Sequence, residues 1–380
     1  MEDYAFASGG ILWKIADRAK FESRSLRQQI YFVLVLILFF WVPLAALSLI
    51  KLGPSQFYLL FLRDIATHVR FLFVLPVLLF SRRILNTSFN RTISFFHESK
   101  ILDKANEPEF EKVMSWLKRW SKSQIIDLIF IVAVYIFIYV QVTDQTHRSN
   151  TYAPWHILDN KITTAGWWYL VISLPILQML LYRWLYTILL WIIFLRKVSR
   201  LNLHLSPLHP DGSAGLGFMQ YTQLSFVPVA FAFSALTAGV MNNMIIFSGV
   251  SIVDYKMTIG SILVFVLLLF LLPLLQFVPI LARVKRKYFL EYSLQAWPIA
   301  RKFEEELKAF YLAEEERPDT SWHIDLIGSF EKTKDMKIIL IDKTLLLAFT
   351  AAVILPFLPV LAQQVPLKEI LFNLMGKILG

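Results

Sequence analysis

The sequence predicts an all-α fold: a polytopic helical membrane bundle of about seven transmembrane helices, with its N-terminus inside and its C-terminus outside. Three observations predict it. The 380 residues are 57% hydrophobic and only 17% charged, with a mean hydropathy of +0.56, too apolar for an ordinary soluble domain. Apolar runs of spanning length recur along the chain. Lys and Arg gather in alternate connecting segments, as cytoplasmic loops collect them.

In chain order, the N-terminal stretch is long and basic and shows no small-residue cleavage site at a suitable distance. The run at 30–50 is therefore expected to be a retained first span. The next run is disputed. In FLRDIATHVRFLFVLPVLLF, residues 61–80, only ten nearly uninterrupted apolar residues follow Arg70, whereas a span needs roughly 20.

Loop charges decide the matter. Twenty-nine of the 38 Lys and Arg residues fall in four groups: before residue 30, from Arg82 to Lys122, at Arg196, Lys197 and Arg200, and from Arg283 to Lys343. The intervening loops and tail hold only Lys51, Arg148, Lys161, Lys256, Lys368 and Lys377. This alternation requires 62–81 to cross, because otherwise the basic segment after it would share a side with poorly charged 51–56.

Further spans are expected at 124–142, 166–195, 221–246, 258–282 and 344–363, giving one helical membrane domain over 1–380. Two cytoplasmic segments follow. Segment 82–123 reads as two short amphipathic helices, the second starting near Pro108. Segment 283–343 carries apolar residues at helical spacing and is expected to be interrupted at Pro298. The tail, 366–380, separates Lys368, Glu369, Asn373 and Lys377 from Leu367, Ile370, Leu371, Leu374 and Ile378, the pattern of an amphipathic helix lying in the outer interface.

The net charge of +10 follows from topology and does not point to nucleic acid. The chain has no cysteine, which excludes disulfides, thiolate catalysis and Cys-ligated metal. No arrangement of nucleophile, base and oxyanion donors emerges, so an enzyme is the less favoured reading, and no cofactor or metal is expected.

Three cations remain inside spans: Arg63, Arg70 and Arg183. Arg63 and Arg70 nearly superimpose on a helix, and Asp64 and His68 share an adjoining strip. From the helix rise, Arg70 lies about 18 Å above Arg82 and Arg183 about 20 Å above Arg196, so both are expected near mid-membrane. Such a charge costs at least about 2.5 kcal/mol in lipid and faces a bundle interior or a wet cavity. Two readings are open and evenly weighted. In one, Arg70 and Arg183 hold an anion in a shared cavity, with His68 and Asp64 modulating its charge and Arg63 near the outer interface. In the other, Asp64, Asp127 and backbone carbonyls pair with these cations and hold the helices in register.

A polar loop follows the fourth span: His204, His209, Pro210, Asp211, Gly212, Gly215 and Gly217. Pro-Asp-Gly signals a turn, and the glycines allow tight packing or the presentation of amides to an anion. Two His and one Asp make a weak metal pattern, so a turn is favoured. The Gly-Lys-Ser/Thr ending of a phosphate-binding P-loop is missing.

The stretches HVRFLFVLP, LHPDGSAGLGF, HIDLIGSFEKTKDMKI and ILPFLPVLAQQVPLKEIL together resemble a family of bacterial multi-pass inner-membrane proteins without an assigned activity. Its most specific element is the His-Pro-Asp turn followed by Gly-Leu-Gly. Where that family reads Gly-Gly-Leu-Gly, this chain has Ala214 first. The resemblance implies a bacterial inner-membrane location and no particular chemistry.

The expectation is thus a membrane protein that binds or conducts a small anionic solute, with the lipid bilayer and a small anion or phosphate-bearing ligand as its partners. Alternatives are a membrane-embedded enzyme acting on a lipid or polyprenyl phosphate, and a sensory or scaffolding module working through its cytoplasmic segments.

Overall fold

The computed structural model describes residues 6–7, 25–143, 154–159, 161–249, 256–313 and 321–364. The tail helix expected at 366–380 lies outside the described residues. Within them the chain is all-α save for one antiparallel pair, β1 (Ile157–Leu158) with β2 (Lys161–Ile162).

The helical stretches in order are α1 (Leu26–Leu62), α2 (Ile65–Glu98), α3 (Glu107–Ser121), α4 (Gln124–Thr143), α5 (Thr164–Val198), α6 (Met219–Ser248), α7 (Lys256–Leu271), α8 (Val278–Ala313), α9 (Ser321–Asp335) and α10 (Lys343–Ala362). Seven of them, counting α3 with α4 and α7 with α8 as one stretch each, are long and apolar enough to cross a membrane. The protein is a multi-pass helical membrane bundle.

A capping box starts α1, Ser25 and Gln28 each holding the other's backbone N–H. The first span expected at 30–50 does not end there. Gly53 takes φ +73, which only glycine adopts at no steric cost, and redirects the helical path before Pro54 begins its next turn.

At the other end α2 continues unbroken past residue 82, because Leu85, Phe89, Ile93 and Phe96 extend its buried stripe at helical spacing. Phe89 and Phe96 meet Phe194 and Phe110 at 5.5 and 5.2 Å between ring centroids, so the basic ends of α2 and α5 and the amphipathic α3 share one aromatic core. Helix α3 buries Phe110, Val113, Met114 and Leu117, and its Glu107, Glu109, Lys118 and Arg119 suit the helix dipole.

The expected interruption at Pro298 is absent: α8 runs through it as one helix. Helix α9 packs back against α8, Phe289 meeting Phe330 at 4.9 Å.

In lipid the hydrophobic effect does not drive helix association, so close packing and hydrogen bonds must hold the helices. A Cβ on Gly239 of α6 would stand 3.2 Å from the Ala66 Cα, which shows how closely α6 approaches α2. Ser234 Oγ donates to the Val353 carbonyl at 2.5 Å and ties α6 to α10.

Candidate functional site

Proline places the first set of polar groups. Pro76 and Pro175 each lack an N–H and press on the carbonyl four residues earlier. The turns just before them widen to π-helix, over Val69–Val74 and Tyr169–Ser173. A third wide turn, Phe57–Leu62, closes α1. Such turns inside α-helices concentrate at functional sites.

The wide turns of α2 and α5 are joined by one hydrogen bond: Arg70 Nη1 donates to the Tyr169 phenol oxygen at 2.6 Å. Tyr169 is buried, with ring contacts to Phe71, Trp155 and His156 at 6.3, 5.7 and 4.7 Å, whereas Arg70 is half-buried. Among the described residues, no carboxylate forms an ion pair with Arg70.

Asp64, the candidate partner six residues earlier on the same helix, is otherwise committed. It is 1% exposed and caps the start of α2. One oxygen accepts from Thr67 N at 3.0 Å and Asn243 Nδ2 at 2.6 Å; the other accepts from Thr67 Oγ1 at 2.6 Å and Trp155 Nε1 at 2.7 Å. An ionised carboxylate accepts about four hydrogen bonds, so these donors fill it. Asn243 also accepts from Ala66 N at 3.1 Å, fixing α6 against α2.

His68 is committed too. Its Nδ1 accepts from Trp41 Nε1 at 3.0 Å, which leaves Nε2 as the donor to the Leu62 carbonyl at 3.2 Å. That arrangement uses both ring nitrogens. Arg63 is exposed beside the turn.

The shared mid-membrane cavity expected for Arg70 and Arg183 is not what the fold builds. Tyr169, the partner of Arg70, precedes Arg183 on α5 by about 21 Å of helix rise. Arg183 is 3% exposed; its Nη1 pairs with Asp127 at 3.1 Å, its Nη2 donates to the Ser121 carbonyl, and its guanidinium lies 5.4 Å from the Tyr186 ring.

Ser121 ends α3, beside Lys118, Arg119 and Lys122, so Arg183 stands level with a basic belt and not well above it. The depth reckoning failed because it took Arg196 as the membrane boundary. Helix α3 runs alongside the last turns of α5, Lys197 lying 4.9 Å over the Trp116 ring. At the opposite end, Arg70 lies six residues past Asp64, about 9 Å along α2, and its bond to Tyr169 sits only five residues inside the start of α5. Arg70 thus lies near the start of α2, and Arg183 lies beside the start of α4, where Asp127 meets it.

In the polar loop the amides turn inward. Asp211 accepts from Ser213 N and Gly215 N on one oxygen, at 2.8 and 3.0 Å, and from Gly217 N on the other at 2.8 Å. His209 Nδ1 stands 3.0 Å from the same carboxylate. Burial alone would raise the Asp211 carboxyl pKa; the three backbone donors and His209 outweigh it and hold the group below the usual carboxylate range.

A side chain on Gly217 would collide with that carboxylate. Gly212, Ala214 and Gly215 adopt φ of +64, +55 and +94, and Ala214 is the strained member, occupying a position that suits glycine. His204 turns away to Asp103 at 2.9 Å. Among the described residues, no group of three or more His, Asp and Glu is placed to hold a metal ion. Of the two uses open to these glycines, tight packing or amides presented to an anion, the loop builds the first: the Gly215 and Gly217 amides are held by its own carboxylate.

Sequence reasoning missed Tyr169, Trp155 and Asn243. A signal for Tyr169 was present: Arg70 and Tyr169 each precede a proline by six residues within a span. Chemically, Arg70 retains donors beyond the one given to the phenol, and the phenol, accepting from Arg70, keeps its own O–H to donate. No family model, curated protein or solved structure matches the chain.

Proposed function

We propose that this membrane protein binds a small anionic group at Arg70 and Tyr169, in the third of the bundle that the charge pattern assigns to the outer side. One observation carries the reading: a half-buried guanidinium within a span ends on a neutral phenol, while Asp64, six residues earlier on the same helix, is filled by four other donors. Intramembrane ionisable groups are functional by default, and a cation left without a counter-charge favours an anion in its place. The wide turns in both helices at this level add support. An enzyme acting on a lipid phosphate through the 209–217 loop has less support, since that loop's amides hold Asp211.

The test is a thermal-shift titration of the detergent-purified chain with chloride, phosphate and sulfate, compared with Arg70→Gln and Tyr169→Phe. At least one anion is expected to stabilise the native chain saturably, Arg70→Gln to abolish that response and Tyr169→Phe to weaken it, with Arg63→Gln unchanged. A response that survives Arg70→Gln, or no saturable response to any of the three anions, would sink the proposal.

A further inference from the structure

At the basic end of the bundle a short piece of chain is held the way a protein holds a peptide. Phe6 is 2% exposed; its ring stacks on Phe89 at 4.6 Å with an interplanar angle of 15° and meets the edge of Trp191 at 6.0 Å. Both backbone groups of the next residue are gripped by buried side chains of α2: Ala7 N donates to Asn86 Oδ1 at 2.8 Å, and Arg82 Nε donates to the Ala7 carbonyl at 2.7 Å. Arg82, Asn86 and Phe89 recur at four and three residues, so one face of α2 presents all three groups.

The walls are fixed by contacts that do not involve Phe6. Trp191 Nε1 donates to Gln223 Oε1 at 2.8 Å, and Gln223, 1% exposed, donates in turn to the Phe270 carbonyl, so α6 and α7 orient the indole. Phe89 and Phe194 meet at 5.5 Å, and Trp191 stacks on Phe194 at 5.5 Å. A pocket oriented from behind needs little reorganisation when its occupant leaves or returns.

The division of labour is that of peptide recognition: polar groups bind the main chain whatever its sequence, and a pocket reads one side chain. Ala7, 1% exposed, adds a size limit at the following position. If the socket stood empty, Arg82 and Asn86 would each lose the bond to Ala7 in a buried setting. We propose that the basic ends of α2 and α5 form a peptide socket for an aromatic residue followed by a small one, that Phe6–Ala7 is its resident ligand, and that the same segment supplied as a separate peptide can take its place. This proposal is independent of the anion reading.

The experiment uses the full chain in two forms: one with a protease site placed between residues 8 and 24 and cut after folding, and the intact Phe6→Ala variant. Each is titrated with a fluorescein-labelled peptide of residues 1–10, read by polarisation. Both forms are expected to take up the label saturably. The uncut native chain should bind at least tenfold more weakly, because its tethered segment competes at high effective concentration. A labelled peptide carrying Phe6→Ala is expected to bind at least tenfold more weakly to the cut chain, and Phe89→Ala introduced into the cut chain should cost a similar factor. No saturable uptake by either form, or equal uptake of the two peptides, would overturn the socket.

Discussion

Arg183 and Arg70 are the same residue in neighbouring helices of one bundle, and their surroundings differ in kind. Arg183 meets a carboxylate and a carbonyl supplied by its own chain, whereas Arg70 meets one phenol. Asp64 and Asp211 belong with Arg183: each is a charge met by groups of its own chain, Arg183 by a carboxylate and a carbonyl, the two carboxylates by N–H and O–H donors. On the anion reading, a charge within the membrane serves as a site where its own chain leaves it open. A closed charge is a fastening between helices, and its removal should cost stability and not binding.

The largest effect should come from opening a closed centre. Asp127→Ala leaves Arg183 buried without its carboxylate, and breaking a buried pair from one side costs about 3 to 5 kcal/mol. Thermal unfolding in detergent checks it, and replacing both partners with apolar residues should recover much of the loss. If Asp127→Ala instead leaves the melting temperature unchanged, Arg183 is not a fastening and the contrast with Arg70 collapses.

Asp64→Ala is expected to follow at about 3 kcal/mol, since four donors lose an acceptor, Trp155 Nε1 and Asn243 Nδ2 among them. It should also loosen the junction of α2 with α6, read as faster hydrogen exchange at Ala66 and Thr67.

Asp211→Asn is the next step down, about 2 kcal/mol, because an amide replaces one oxygen that faces backbone N–H groups. Its pH dependence has a definite sign. The folded-state pKa lies below the unfolded value of about 3.9, so the carboxylate's contribution is fully present above that value and lost as pH falls through the folded one. The stability gap between the native chain and Asp211→Asn should therefore narrow as the pH falls below about pH 4. A gap that widens on acidification would mean that the loop is not held by the ionised form.

How much of this was legible in the sequence depended on the range of the interaction. The seven spans and the crossing of the disputed 62–81 run were legible, because hydropathy and loop charge are summed along many residues. The pairing of Asp127 with Arg183 was present only as one of two open readings, since nothing local to either residue says that α4 lies beside α5. Depth reckoned from flanking charges failed at α5 for a related reason: α3 covers its basic end, so apolar residues there continue alongside a charged amphipathic helix. Tyr169 resembles any interfacial tyrosine until Pro175 is seen to widen the turn that carries it. The expected break at Pro298 overstated a local rule, since the helix runs on through that residue.

The smallest effect on stability is expected at Arg70, and it bears most directly on the contrast. Arg70→Gln removes one hydrogen bond to Tyr169, a loss of about 1 kcal/mol, and also removes an uncompensated charge whose desolvation opposed folding. The two terms have opposite signs, so the melting temperature without added anion should change by the equivalent of less than about 1 kcal/mol. With an anion at a hundred times its Kd, the native chain alone should gain about 2.7 kcal/mol, opening a gap that is absent without ligand. A large loss in Arg70→Gln before any anion is added would place Arg70 among the closed centres with Arg183, and the division between fastening and site would have to be drawn elsewhere.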